Sequence, residues 1–90
     1  MLIVQWGCEV IYMEPALRKE HRAMLESVGQ NIAYYRKKRG YTQRQLAERS
    51  SYSESYIQQI ERAKVVPSMA AILSIAKALE IPEYLLFRMH

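Results

Sequence analysis

The chain contains no aspartate and, in 90 residues, only one cysteine, one phenylalanine, three glycines and three prolines. Each shortage excludes something. Cys8 alone cannot close an internal disulfide or build a cysteine-based zinc site. It reads as a small apolar residue rather than a nucleophile, and a lone thiol fits a reducing, cytoplasmic setting. With no aspartate, and with His21 and His90 far apart in the chain, no nucleophile–base–orienter set and no metal cluster can be assembled. An enzyme is therefore not expected, and neither a catalytic residue, a metal nor a cofactor is assigned. Three scattered glycines cannot make a phosphate-cradling loop. No apolar run approaches the ~20 residues of a membrane span, so no membrane partner is expected. Met1 to Val4 lack the basic flank of a secretory signal.

What is present is compact and helix-rich. Ninety residues, half of them hydrophobic, suit one domain with a small core and no covalent staples. No room is expected for a separate small-molecule-binding domain. The net charge is +4, and its placement matters more than its size. Residues 36–64 carry eight Lys/Arg against three Glu, a net of +5, while the remainder carries five against six. Such a concentration suits a polyanionic partner or, equally, a solvated charged surface.

The hydrophobic period changes along the chain. From Leu2 to Met13 it is two: Leu2, Val4, Trp6, Cys8, Val10 and Tyr12 form a wholly apolar face, which predicts a strand. A lone strand needs an edge to pair with. No second strand is legible, so the partner is either the same strand of another copy or none, the segment then packing loosely on the domain. Residues 1–13 are thus read as a strand extension and dimerisation arm, and residues 14–90 as the domain. Beyond Pro15 the spacing turns helical. Leu17, His21, Leu25, Val28, Ile32 and Tyr35 recur at threes and fours towards Lys38. Ser27 and Gln30 resemble a capping box and Gly29 weakens a helix by ~1 kcal/mol, which leaves open one long helix or two. Thr42 with Gln45 predicts a second helix over 43–49, and Ser50 to Tyr52 a turn. Ser53 caps a third helix burying Ile57 and Ile60. Pro67 and Ser68 precede a fourth, with Met69, Ile72, Ile75, Ala76 and Leu79. Pro82 opens a short fifth with Leu85 and Leu86. The expected class is an all-α, five-helix domain with an added N-terminal β-strand.

Thr42 to Glu61 thus reads as two short helices joined by a tight turn and framed by Arg36 to Arg39 on one side and Arg62 and Lys64 on the other. A helical pair flanked by positive charge suits a DNA major groove and its phosphates. Arg36, Gly40, Thr42, Gln43, Leu46, Ala47, Ser53, Ile57, Ile60, Glu61, Pro67 and Leu79 stand in one ordered register. On these residues the span from about 28 to 86 resembles the lambda-repressor-like helix-turn-helix family (Cro/repressor, XRE type).

The resemblance implies roles. Gln43, opening the second helix, would bond a backbone phosphate, its alternative being an ordinary solvated residue. Glu54, Ser55 and Gln59, with Gln58 beside them, would face base edges, glutamine suiting adenine and glutamate suiting cytosine N4. Glu54 equally suits the N-terminal dipole of its helix. Tyr56 stacks on sugar or, the favoured reading, is partly buried. Arg62, Lys64, Arg44 and Ser53 would hold phosphates, with Lys38 or Arg39 as further candidates. Arg36 and Glu61 would form a structural salt bridge. Ser51, Ala63 and Glu80 stand where the family often has glycine, so those turns either avoid positive φ or accept strain. The implied protein is a homodimeric transcription regulator, in the first instance a repressor, on a palindromic operator in double-stranded DNA. The alternative is an antitoxin-like or protein-interaction module using the same fold. If the N-terminal strand does not make the dimer, Leu85, Leu86, Phe87 and Met89 are the next surface.

Overall fold

The computed structural model describes residues 15–89, with side chains from Lys19 onward except that of Glu20. Four α-helices, α1 (Pro15–Lys38), α2 (Gln43–Ser50), α3 (Glu54–Glu61) and α4 (Met69–Leu79), are followed by a 3-10 segment, Glu83–Phe87. The fifth helical element is therefore a single tight 3-10 stretch rather than an α-helix. The strand expected over residues 2–13 lies outside the described residues, as do Cys8, His90, the Leu17 side chain and the domain boundary at residue 14. Among the described residues, no helix is long and apolar enough to cross a membrane.

The choice between one long first helix and two resolves to one. Ser27 is buried in mid-helix and caps nothing. Helix α1 runs 24 residues, about 36 Å at the usual rise. Leu25, Val28 and Ile32 face the core and Tyr35 packs at its edge. His21 lies on the exposed part of the same helix. Gly29 is present for contact rather than weakness. A Cβ there would stand 2.6 Å from the Glu61 carbonyl oxygen and 2.7 Å from that of Ile60. Only glycine lets α1 approach the end of α3 so closely.

The caps follow the sequence. Thr42 and Gln45 complete a reciprocal capping box, with Thr42 Oγ accepting the Gln45 N–H at 3.0 Å and Gln45 Oε1 accepting the Thr42 N–H at 2.9 Å. Ser53 and Ser68 cap α3 and α4 through Tyr56 N–H and Ala71 N–H. All four α-helices end the same way, with a left-handed residue at Gly40, Ser51, Ala63 or Glu80. The next residue's N–H returns to a carbonyl five back: Tyr41 to Arg36, Tyr52 to Ala47, Lys64 to Gln59 and Ile81 to Ala76. The three positions that lack glycine therefore do take positive φ, at 65°, 59° and 57°. Paired carbonyls at each helix end offset the strain.

The core joins Val28 and Ile32 of α1, Leu46 and Ala47 of α2, Tyr56, Ile57 and Ile60 of α3, and Ala71, Ile72, Ile75, Ala76 and Leu79 of α4, closed by Val65 and Leu86. Met69, expected in the α4 stripe, is 61% exposed, and Ala71 takes the buried place. Asn31, buried on α1, donates to the carbonyls of Leu86 and Arg88 and ties down the C-terminal segment.

Candidate nucleic-acid interface

Helices α2 and α3 are joined by Ser51, Tyr52 and Ser53 alone. Ser50, expected in the turn, is the last residue of α2 and is buried, its hydroxyl donating to the Leu46 carbonyl at 2.8 Å. The C-terminal end of α2 is anchored to α4 by Ser74 Oγ, which donates to the Ser50 carbonyl at 2.7 Å. The turn geometry is thus fixed from both sides, and with it the angle at which α3 is presented.

Helix α3 divides cleanly. Tyr56, Ile57 and Ile60 face the core. Glu54 and Ser55 are exposed, while Gln58 and Gln59 are half-buried. Tyr56 is 3% exposed, and its hydroxyl accepts the Ser68 N–H at 3.3 Å. It is wholly rather than partly buried, and it joins α3 to the start of α4. Gln59 Nε2 donates to Ser55 Oγ at 3.1 Å, so these two side chains stand as a connected pair one turn apart. Glu54 lies in the first turn of α3, where a carboxylate favours the helix dipole.

Beside this face lies the start of α2. Its capping box satisfies the Gln45 N–H, while the amides of Gln43 and Arg44, first in the helix, have no intrahelical acceptor. The Ser53 hydroxyl accepts the Tyr56 N–H and keeps its own hydrogen to donate. Arg62 and Lys64 are exposed just beyond α3. Arg44 is 79% exposed and loosely paired to Glu48 at 3.7 Å, a contact worth a few tenths of a kcal/mol that an anion can displace.

Not every cation of the basic segment is available. Arg36 Nε and Nη2 hold both oxygens of Glu61 at 2.7 and 3.1 Å, and Nη1 donates to the Tyr41 carbonyl at 2.9 Å. Only 11% and 8% of the two side chains are exposed. Arg39 Nε donates to the Leu79 carbonyl at 2.9 Å and pairs with Glu80 at 3.4 Å. It closes the end of α4 while 41% of its side chain stays exposed. Arg49 lies 4.5 Å over the Tyr41 ring. Lys38 stands 5.8 Å from the Tyr34 ring.

One link has no counterpart in the sequence pattern. Gln43 Nε2 donates to Glu61 Oε1 at 3.0 Å. The start of α2, the end of α3 and, through Arg36, α1 therefore meet at one carboxylate. These residues lie 18 and 25 positions from Glu61, and no periodicity connects them.

A short helical pair with a three-residue turn, buried on one side and polar with flanking cations on the other, defines a helix-turn-helix protein. Residues 32–86 match the helix-turn-helix family HTH_3, and the chain belongs to that family, of the lambda-repressor (XRE) type. Over 55 residues it is 46% identical to the immunity repressor protein of Bacillus phage phi105, a stretch covering 61% of this chain and 38% of the repressor. The chain thus spans well under half of that relative. Among solved structures it is similar to the restriction-modification controller protein C.AhdI from Aeromonas hydrophila. The identity is 35% and the TM-score 0.69, covering 70% of this chain and 96% of that one. It is also similar to the master regulator for biofilm formation SinR, solved in complex with DNA, at 32% identity and a TM-score of 0.64, covering 68% and 98%.

Proposed function

We propose that this chain is a sequence-specific DNA-binding transcriptional regulator, a repressor that binds a palindromic operator as a homodimer. The observation that carries the reading is the shared face of α2 and α3. The exposed side of α3 stands beside the amide-bearing start of α2, with Arg44, Arg62 and Lys64 around it. An α-helix so presented fits the major groove, and the cations and helix start suit the phosphates on either side. Glu54, Ser55, Gln58 and Gln59 read bases in this account. Gln43, Arg44, Ser53, Arg62 and Lys64 hold the backbone. The similarity to an immunity repressor and to a regulator solved with DNA supports the same reading.

Two copies would place their α3 helices in successive major grooves, about 34 Å apart. Two segments are candidates for self-association: residues 1–13, by their alternating sequence, and the C-terminal set of Tyr84, Phe87 and Met89, which are 64, 36 and 55% exposed. Leu86 is not part of the second surface, because it is fully buried.

The test is selection of bound sites from random duplex DNA, followed by titration of the selected site at several salt concentrations. A palindromic consensus is expected, with a log–log salt slope steepening by about one unit per phosphate-bound cation. Weak binding with no preferred site would overturn the reading in favour of a protein-interaction module.

A further inference from the structure

Glu61 lies beside the surface proposed to face DNA. It is a carboxylate with a side chain only 8% exposed, at the end of the helix assigned to base reading. The bidentate Arg36 pair supplies its countercharge. That pair alone would make Glu61 a cross-link between α1 and α3. The bond from Gln43 adds a second consequence. A carboxylate only accepts hydrogen bonds, so Gln43 must turn its Nε2 group, not its Oε1, towards Glu61. An amide held this way keeps the second hydrogen of the same nitrogen for another acceptor. A free amide could as readily present its oxygen, which a phosphate repels.

We propose that Glu61 is a positioning residue for the phosphate contact at Gln43. Charge-neutralised by Arg36, it orients the Gln43 carboxamide so that its N–H group meets the DNA backbone. The inference rests on the DNA-binding reading above. It links the register of α3 in the groove to the phosphate held at α2, because one carboxylate fixes both helices.

Removing Glu61 alone strands the Arg36 charge and endangers folding, so the test uses charge-balanced doubles. R36M/E61Q removes the ion pair but keeps a side-chain oxygen that can accept from Gln43. R36M/E61L removes that acceptor as well. Each double is combined with Gln43→Ala, checked for a cooperative melt, and titrated against the selected duplex at one salt concentration. Gln43→Ala should weaken binding about tenfold in the wild-type and R36M/E61Q backgrounds and have no measurable effect in R36M/E61L. R36M/E61Q should bind about tenfold more tightly than R36M/E61L, a rescue that a purely structural role would not give. An equal loss from Gln43→Ala in all three backgrounds overturns the positioning role and leaves DNA binding intact. No loss in the wild type overturns the phosphate contact itself. Absence of any selected site overturns the DNA-binding reading, and the inference with it.

Discussion

Gly29→Ala separates contact from propensity by the sign of its effect. Judged by helix propensity, alanine in the middle of α1 should stabilise the domain by about 1 kcal/mol. The structure demands the opposite. The new Cβ would lie 2.6 Å from the Glu61 carbonyl oxygen, 2.7 Å from that of Ile60 and 3.0 Å from the Glu61 carbonyl carbon. All three obstructing atoms are backbone, so no side chain can rotate aside. Restoring ordinary contact requires α1 and the end of α3 to separate by nearly an ångström. The displaced carbonyls belong to a working turn, since Ile60 O accepts the Ala63 N–H at 3.0 Å. The movement would also pull on the Arg36–Glu61 pair. Overpacking of this kind costs about 1–3 kcal/mol, and immovable neighbours place it at the upper end. After the propensity gain, the expected net loss is about 2 kcal/mol. In a domain of this size that lowers Tm by about 8–16 °C. Thermal and urea unfolding followed by circular dichroism measure it. Gly40→Ala is the control, because its Cβ would meet nothing within 4 Å. Its cost is conformational only, about 1 kcal/mol at φ 75°. A Gly29→Ala protein as stable as the wild type, or more so, would refute the close approach of α1 to α3.

Three further outcomes are expected. Ser51→Gly relieves a left-handed residue on an exposed turn and should raise stability by up to about 1 kcal/mol, read as a higher urea midpoint with an unchanged m-value. Gln59→Ala should relax base preference at one operator position, whereas Arg62→Ala should weaken all sites alike and lower the salt slope by about one unit; identical behaviour of the two would refute the orientation of α3. Removal of residues 1–12 should weaken the dimer and operator affinity in sedimentation and titration, and an unchanged dimer would move the interface to Tyr84, Phe87 and Met89.

The caps and core stripes were legible because they are local. Thr42 and Gln45, Ser53, and Ser68 announce helix starts within four residues, and the spacing of Ile57 with Ile60 or Ile72 with Ile75 marks the buried faces. The family register came from the same short patterns. Harder to read were the ends of helices without glycine. Ser51, Ala63 and Glu80 adopt positive φ because each returning N–H satisfies a helix carbonyl, and a side-chain identity alone does not report that bond.

The sequence by itself determined a helical domain, the starts of α2 and α3, and the excess of positive charge between residues 36 and 64. Periodicity and capping are properties of neighbours along the chain, so one dimension suffices for them. Only the tertiary structure decided how that charge is divided. Arg39 is tied to the end of α4 and Arg49 lies over Tyr41, as the sequence did not foretell, while Arg36 meets Glu61 as the family register implied. It also decided that Gly29 is a contact and that Gln43 joins Arg36 on the Glu61 carboxylate. Those facts depend on which helix ends meet in space. That meeting is set by how α1, α2, α3 and α4 jointly bury their apolar faces, not by any spacing a single strand of text contains.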